Sequence, residues 1–303
     1  MSDINNAVHP LVRDHRIFLS AGVYDALSAK IAERAGFRSV VVSGYAVAAT
    51  YLGEPDFGLL TQTEILDVAR RVCRAVDIPV IVDGDTGYGS AVNVTRMVEE
   101  LLQMGAKGIL LEDQTWPKRC GHMAGKSVVP MEEHVQKIRA AKAAKGHAPF
   151  LITARTDARA PLGLDEAIRR GNAYKEAGAD FIFVEAPESV DEIKRIAREV
   201  KGPLVLNNIE GGKTPILSLE EAQELGFWSV GFVLTGLFAA AKALQDTYAH
   251  VIQNGGSGQL TDQLMSFDAF TELVGLEERT ELDTRFSASP NAPSGNSHAE
   301  VLA

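Results

Sequence analysis

Eight short runs rich in β-branched and other apolar residues recur along the chain, at residues 17–21, 39–43, 78–83, 108–113, 150–155, 181–185, 203–207 and 229–233. Little polar alternation interrupts them, which is the pattern of parallel strands covered on both faces. The stretches between them have helical spacing. Glu33-Arg-Ala-Gly36, Leu102-Gln-Met-Gly105, Lys175-Glu-Ala-Gly178 and Gln223-Glu-Leu-Gly226 each stand two or three residues before a strand, and each glycine can end its helix in the left-handed conformation. Thr61 with Glu64, Ser189 with Glu192 and Ser218 with Glu221 have capping-box spacing and mark helix starts. Strand and helix alternating about eight times predict an α/β fold, a (β/α)8 barrel of the TIM type.

After the eighth unit, residues 260–276 carry Leu260, Leu264, Phe267, Phe270, Leu273 and Val274 at helical spacing. Such an additional amphipathic helix must cover a surface on its own barrel or on a neighbouring subunit, so a homo-oligomer is expected. From residue 287 onward Ser, Pro, Asn and Gly dominate. This predicts one barrel domain over residues 1–286 and a disordered tail over 287–303.

At 303 residues, 46% hydrophobic and 23% charged, the chain has ordinary globular composition and enough length for one large barrel. No run approaches the roughly 20 apolar residues of a membrane span, and the polar start Met1-Ser-Asp-Ile-Asn-Asn6 lacks a signal-peptide core. Two cysteines, Cys73 and Cys120, make no disulfide framework and suit a reducing compartment. A cytoplasmic protein is expected, with Cys73 packed in a helix. The net charge of -10 favours neither nucleic acid nor an acidic membrane surface. An anionic ligand therefore needs local positive charge, which Lys118, Arg119, His122 and Arg155 supply.

In a parallel barrel, chemistry sits at the carboxyl ends of the strands. The polar residues there are Ser43, Gly44 and Tyr45; Asp83 and Asp85; Glu112 and Asp113; Arg155 and Asp157; Glu185; and Asn207, Asn208 and Glu210. Asp83 and Asp85 either cap a glycine-rich turn or share a hard cation with Glu112, for which magnesium is the natural occupant. Three carboxylates at adjoining strand ends repel one another unless a cation or proton compensates. Arg155 ends an otherwise apolar run, so its guanidinium must meet Glu185 or a substrate carboxylate. Cys120 stands beside Lys118, Arg119 and His122 in surroundings expected to favour thiolate and proton exchange with a substrate. Gly121 and Gly125 let the segment act as a lid.

Together these motifs resemble the isocitrate lyase and phosphoenolpyruvate mutase superfamily from about Pro10 to Leu276. They are Ser43-Gly44-Tyr45, Pro55-Asp56-Phe57-Gly58, Asp83-Gly-Asp85-Thr-Gly-Tyr-Gly89, Glu112-Asp113-Gln114, Lys118-Arg119-Cys120-Gly121-His122, Ala154-Arg155-Thr156-Asp157 and Asn207 through Pro215. The Lys-Arg-Cys-Gly-His motif resembles the lyase branch that includes the 2,3-dimethylmalate and 2-methylisocitrate lyases.

The resemblance implies a barrel whose final helix is swapped between subunits of a homotetramer, a dimer of dimers, with magnesium (or manganese in its place) at the strand ends. Asp83 would be the direct metal ligand, with Asp56, Asp85 and Glu112 holding metal-bound waters. Ser43, Gly44 and Tyr45 would bind a substrate carboxylate, mainly through backbone N–H groups. Gly121, His122, Arg155 and Asn207 would contact the rest of the substrate, and Glu185 would orient its neighbours.

The implied reaction cleaves a 2-hydroxy di- or tricarboxylate into a 2-oxo acid such as pyruvate and a carboxylate enolate. Lys118, Arg155 and His122 stabilise the developing charge, Cys120 returns a proton to carbon, and Tyr45 or a metal-linked carboxylate takes the hydroxyl proton. Gly231-Phe-Val-Leu-Thr235 departs from the aromatic-Pro sequence common among such lyases and puts the C3 substituent in question. The rival within the fold is hydrolysis or decarboxylation of oxaloacetate. Phosphonate enzymes typically carry Asn-Ser at Cys120 and its neighbour. A non-catalytic binding barrel predicts losses among these residues, and none is lost.

Overall fold

A computed structural model describes residues 9–12 and 17–287. Those residues fall into two compact units that divide between Tyr248 and Ala249. In the first, eight parallel strands close into a barrel in sequence order: β1 Phe18–Val23, β2 Ser39–Val42, β3 Val80–Asp83, β4 Gly108–Glu112, β5 Leu151–Thr156, β6 Phe181–Val184, β7 Leu204–Asn207 and β8 Phe227–Phe232. Each predicted strand is present, its ends shifted by no more than two residues. The expected glycines Gly36, Gly105, Gly178 and Gly226 all have positive φ.

The apolar runs conceal a division of labour. Val40, Val42, Val80, Val82, Ile109, Leu111, Ile152 and Ile182 are buried in the main core. Their neighbours one residue away, Val41, Ile81, Leu110, Thr153 and Phe181, line a cavity of about 100 Å³ inside the barrel. Both faces are covered, which is why the runs read as continuous. Leu11, Phe18, Leu151 and Phe181 form a separate small cluster that also lines this cavity. Phe18 and Phe181 meet edge to face at 6.5 Å, packing the amino-terminal end of the barrel.

His134, on the helix Met131–Lys145 that follows β4, is fully buried. Its ring lies 4.6 Å from that of Tyr174, and neither nitrogen has a well-aligned hydrogen-bond partner. Burial lowers its pKa to about 4. The unfolded chain, with an ordinary histidine, binds one more proton between pH 6.5 and 4, so this stability is complete above pH 6.5 and lost on acidification. Urea melts are expected to lose up to about 1.4 kcal/mol per pH unit across that window, and His134→Leu is expected to remove this contribution.

The second unit, described through residue 287, does not contain the single helix expected over residues 260–276. A 3-10 turn Gly258–Gln263 is followed by the helices Phe267–Leu273 and Leu276–Phe286. Leu264 is extended, Ser266 starts the first helix by accepting from Ala269 N, and Gly275, with φ 79°, separates the two. Local capping therefore overrides the apolar spacing. The tail expected over residues 287–303 lies, from residue 288 onward, outside the described residues. Among the described residues no helix is long and apolar enough to cross a membrane.

Candidate active site

Strand register brings the charged residues together. Glu112 on β4 is the register partner of Arg155 on β5, and Arg155 Nη1 lies 3.3 Å from Glu112 Oε2. Glu185 N donates to Thr156 O at 3.0 Å, extending the ladder past β6, and Glu185 Oε2 lies 3.6 Å from Arg155 Nε. Within the protein, Arg155 pairs more closely with Asp157 than with the expected Glu185: Nε and Nη2 donate to the two carboxylate oxygens of Asp157 at 2.9 and 3.0 Å. Burial opposes the guanidinium charge, but Asp157, Glu185 and Glu112 outweigh it and hold its pKa well above the ordinary value. Burial also opposes ionisation of Asp157, yet Arg155 and Lys126 bring its pKa down to about 2.

Asp83 and Asp85 occupy the turn after β3. Asp83 Oδ2 accepts from Gly44 N and Oδ1 from Asp85 N, each at 3.1 Å. Asp85 and Tyr88 both have positive φ, 45° and 55°, a conformation that non-glycine residues adopt at a cost of order 1–3 kcal/mol. Tyr88 donates its hydroxyl to Asp85 Oδ2 at 2.9 Å, and Glu112 N donates to Asp85 O at 2.9 Å. The turn is thus pinned from two sides. Burial and the charge of Asp85 raise the Asp83 pKa; burial raises that of Glu112 well above the usual carboxylate range, with Arg155 opposing.

Lys118 was expected to face substrate. Its ammonium instead lies 2.5 Å from Asp56 Oδ1 and 2.7 Å from Asp85 Oδ1. Burial opposes its charge, and the surrounding acids, Asp85 and Asp56 foremost, outweigh that and raise its pKa well above the ordinary value. The approach to Asp85 is close but off-angle, so Asp85 Oδ1 has no hydrogen-bond partner; neither does Glu112 Oε1. Among the described residues no ready-made cluster of three carboxylate, imidazole or thiol ligands is present. The all-oxygen set Asp56, Asp83, Asp85 and Glu112, with two buried oxygens lacking partners, nevertheless fits a hard divalent cation.

The loop after β4 closes on itself through a Gln114–Val128 bridge and lies over the barrel mouth. Cys120 N donates to Asp56 O at 3.2 Å. The expectation of a thiolate is not met: burial, helped by Glu185 and Asp56, raises the Cys120 pKa to about 11. The nearby lysine is engaged elsewhere, so Cys120 carries a proton at neutral pH. His122 Nδ1 accepts from Lys213 N at 2.8 Å, which leaves Nε2 to carry hydrogen toward Glu185 Oε1, 3.3 Å away. Burial lowers its pKa, with Glu185 opposing. Gly121 is required sterically, because a Cβ there would stand 1.9 Å from Glu185 Oε1.

Ser43, Tyr45, Asp56, Asp83, Cys120, Gly121, Arg155, Glu185 and Asn207 all line the barrel cavity. Two of the three backbone N–H groups expected to hold a substrate carboxylate are already used, that of Ser43 by Val23 O at 3.1 Å and that of Gly44 by Asp83. Ser43 Oγ accepts from Ala46 N at 3.3 Å. Burial raises the Tyr45 pKa above its ordinary value, so its phenol remains protonated. Asp113 faces away from the cavity, accepting from Thr156, Arg170, Tyr174 and the Asp157 backbone. Asn208 bonds the Leu217 backbone and Glu210 accepts from Thr235.

Sequence reading missed Lys126. Its buried ammonium donates to Asp157 Oδ1 at 2.8 Å and to the Gly121 carbonyl, tying this loop to the Arg155 network. Its one signal is a position after Gly125, and burial cannot be read from that. Lys126→Met leaves Asp157 less compensated, and breaking a buried pair in this way costs about 3–5 kcal/mol. The expected result is a loosened lid, read as faster hydrogen exchange across residues 118–126.

Residues 9–252 match the phosphoenolpyruvate phosphomutase family. The chain is 50% identical to the petal death protein of Dianthus caryophyllus over 92% of its own length and 88% of that protein's. It is 46% identical to the chloroplastic carboxyvinyl-carboxyphosphonate phosphorylmutase of Arabidopsis thaliana, over 95% of this chain and 86% of that one. The crystal structure of 2,3-dimethylmalate lyase, a PEP mutase/isocitrate lyase superfamily member, superposes with a TM-score of 0.86 at 32% identity. The superposition covers 93% of this chain and 96% of that one.

Proposed function

The chain belongs to the phosphoenolpyruvate mutase/isocitrate lyase superfamily, and from that premise we propose that it is a carbon–carbon lyase. It splits a small 2-hydroxy di- or tricarboxylate of the alkylmalate or methylisocitrate type into a 2-oxo acid and a second carboxylate. The observation that carries the reading is Cys120: a protonated thiol on the lid that lines the same cavity as Asp83 and Arg155. A thiol so placed can give a proton to a carbanion formed in the cavity.

A divalent cation, magnesium by its preference for oxygen, would be held by Asp83 with Asp56, Asp85 and Glu112, and would lower the pKa of the substrate hydroxyl. Arg155, which lines the cavity, presents positive charge to the carboxylate product, and the Nε2–H of His122 is directed at Glu185 and orients it. Tyr45, still protonated, donates a hydrogen bond rather than acting as base. The hydroxyl proton would pass to one of the carboxylates that hold the cation. Ser43 Oγ, Tyr45 and Asn207 remain to orient the substrate. The cavity that would receive the substrate measures about 100 Å³. Val233 and Leu234 line it and supply an apolar wall for a C3 alkyl group.

The phosphorylmutase relative favours a second reading, cleavage or transfer at a carbon–phosphorus bond. Both are tested by incubating the full chain and magnesium with alkylmalates, methylisocitrate, oxaloacetate and phosphonopyruvate, and identifying products by NMR. Pyruvate with propionate, or with succinate, is expected. Release of phosphate, formation of phosphoenolpyruvate, or oxalate with acetate, in place of these products overturns the lyase reading. We further infer a homo-oligomer, because Phe267, Phe270, Leu264 and Val274 are exposed on the single chain. Light scattering at the mass of one 32.6-kDa chain would contradict it.

A further inference from the structure

We propose that Lys118 is a built-in competitor of the divalent cation: its ammonium occupies two carboxylates that the ion needs, and cation binding evicts it toward the substrate side of the cavity. The inference rests on the reading of Asp56, Asp83, Asp85 and Glu112 as the cation's residues.

Lysine is strongly hydrated and carried on a flexible stem, so it normally keeps its charge in water. Here the side chain is 4% exposed, with Nζ 2.5 Å from Asp56 and 2.7 Å from Asp85. Four acids meet at this spot, and the other cation near them, Arg155, is divided among Asp157, Glu112 and Glu185. Lys118 therefore compensates the cluster when no ion is bound. It does so by charge and not by fit, since Asp85 Oδ1 lacks an aligned hydrogen bond and Glu112 Oε1 has none. A hard cation supplies what the ammonium does not, several oxygen contacts at once.

The lid's other ties involve different residues: Lys126 holds Asp157, and His122 bridges Glu185 and Lys213 N. Eviction of Lys118 thus releases the lid from the side chains of Asp56 and Asp85, while the paired bonds of Gln114 with the Arg119 backbone stay in place. Cys120, two residues along, is joined to the same strut through Asp56 O. An anionic substrate arriving after the cation meets a free ammonium; one arriving before it does not. Binding is therefore ordered, cation first.

The test titrates Mn2+ into the full-length wild type, Lys118→Met and Asp83→Asn, without substrate, counting free ion by electron paramagnetic resonance. Loss of an antagonistic partner is expected to tighten binding in Lys118→Met by about 10- to 100-fold, within the range of ordinary coupling between sites, while Asp83→Asn loses the site. Equal or weaker binding in Lys118→Met overturns the inference and leaves the cation site standing. Absence of binding in every chain overturns both. Should Lys118→Met fail to fold, hydrogen exchange on the wild type decides. Faster exchange over residues 117–120 on adding Mg2+ is expected, and unchanged or slower exchange overturns the inference.

Discussion

Cys120→Ser is expected to lower turnover by about a hundred- to ten-thousand-fold, the range spanned by a lost general acid, while leaving magnesium affinity unchanged. The thiol is held protonated, its pKa raised to about 11 by burial, and a serine hydroxyl of nearly the same size is a far weaker acid. The contacts of Asp83, Asp85 and Glu112 do not involve the Cys120 side chain, so they persist in this variant. Steady-state kinetics beside a metal titration separates the two effects. Turnover equal to wild type would remove Cys120 from the chemistry.

Gly121→Ala is the second large effect, expected at about a hundredfold in kcat, the cost that a misplacement of about 1 Å can carry. The new methyl would stand 1.9 Å from Glu185 Oε1 and 2.5 Å from Arg155 Nη2. Neither can withdraw easily: Arg155 is clamped by Asp157, and Glu185 is buried. The lid must lift instead, taking Cys120 and the Gly121–Lys126 contact with it. The barrel core does not share these contacts, so the melting temperature is expected to fall far less than the rate. Wild-type kcat in a folded Gly121→Ala protein would show that the lid does not need this close approach.

The eight strands, the barrel and the strand-end positions of most site residues were legible because buried parallel strands read as continuous apolar runs that end in polar residues. Placing Asp83, Glu112, Arg155 and Glu185 at strand ends therefore placed them side by side. What the chain pattern withheld were the pairings. Arg155 chose Asp157, two residues away, because a bidentate contact to a near neighbour outcompetes a more distant carboxylate. Lys118 and Cys120, adjacent to cations in sequence, part in space: one points into the acids and the other stays an uncharged thiol. The break in residues 260–276 arose similarly, since apolar spacing continued through a segment where Ser266 and Gly275 end and restart the backbone.

The most direct test of carbon–carbon cleavage with proton return follows the best substrate of the panel in D2O, with products read by NMR and mass spectrometry. The expected result is a 2-oxo acid together with a carboxylate carrying one deuterium at the carbon that had been C3, formed in step with substrate loss and nearly abolished in Cys120→Ser. Oxalate, phosphate or carbon dioxide as a product, or a carboxylate without deuterium at that carbon, would contradict it.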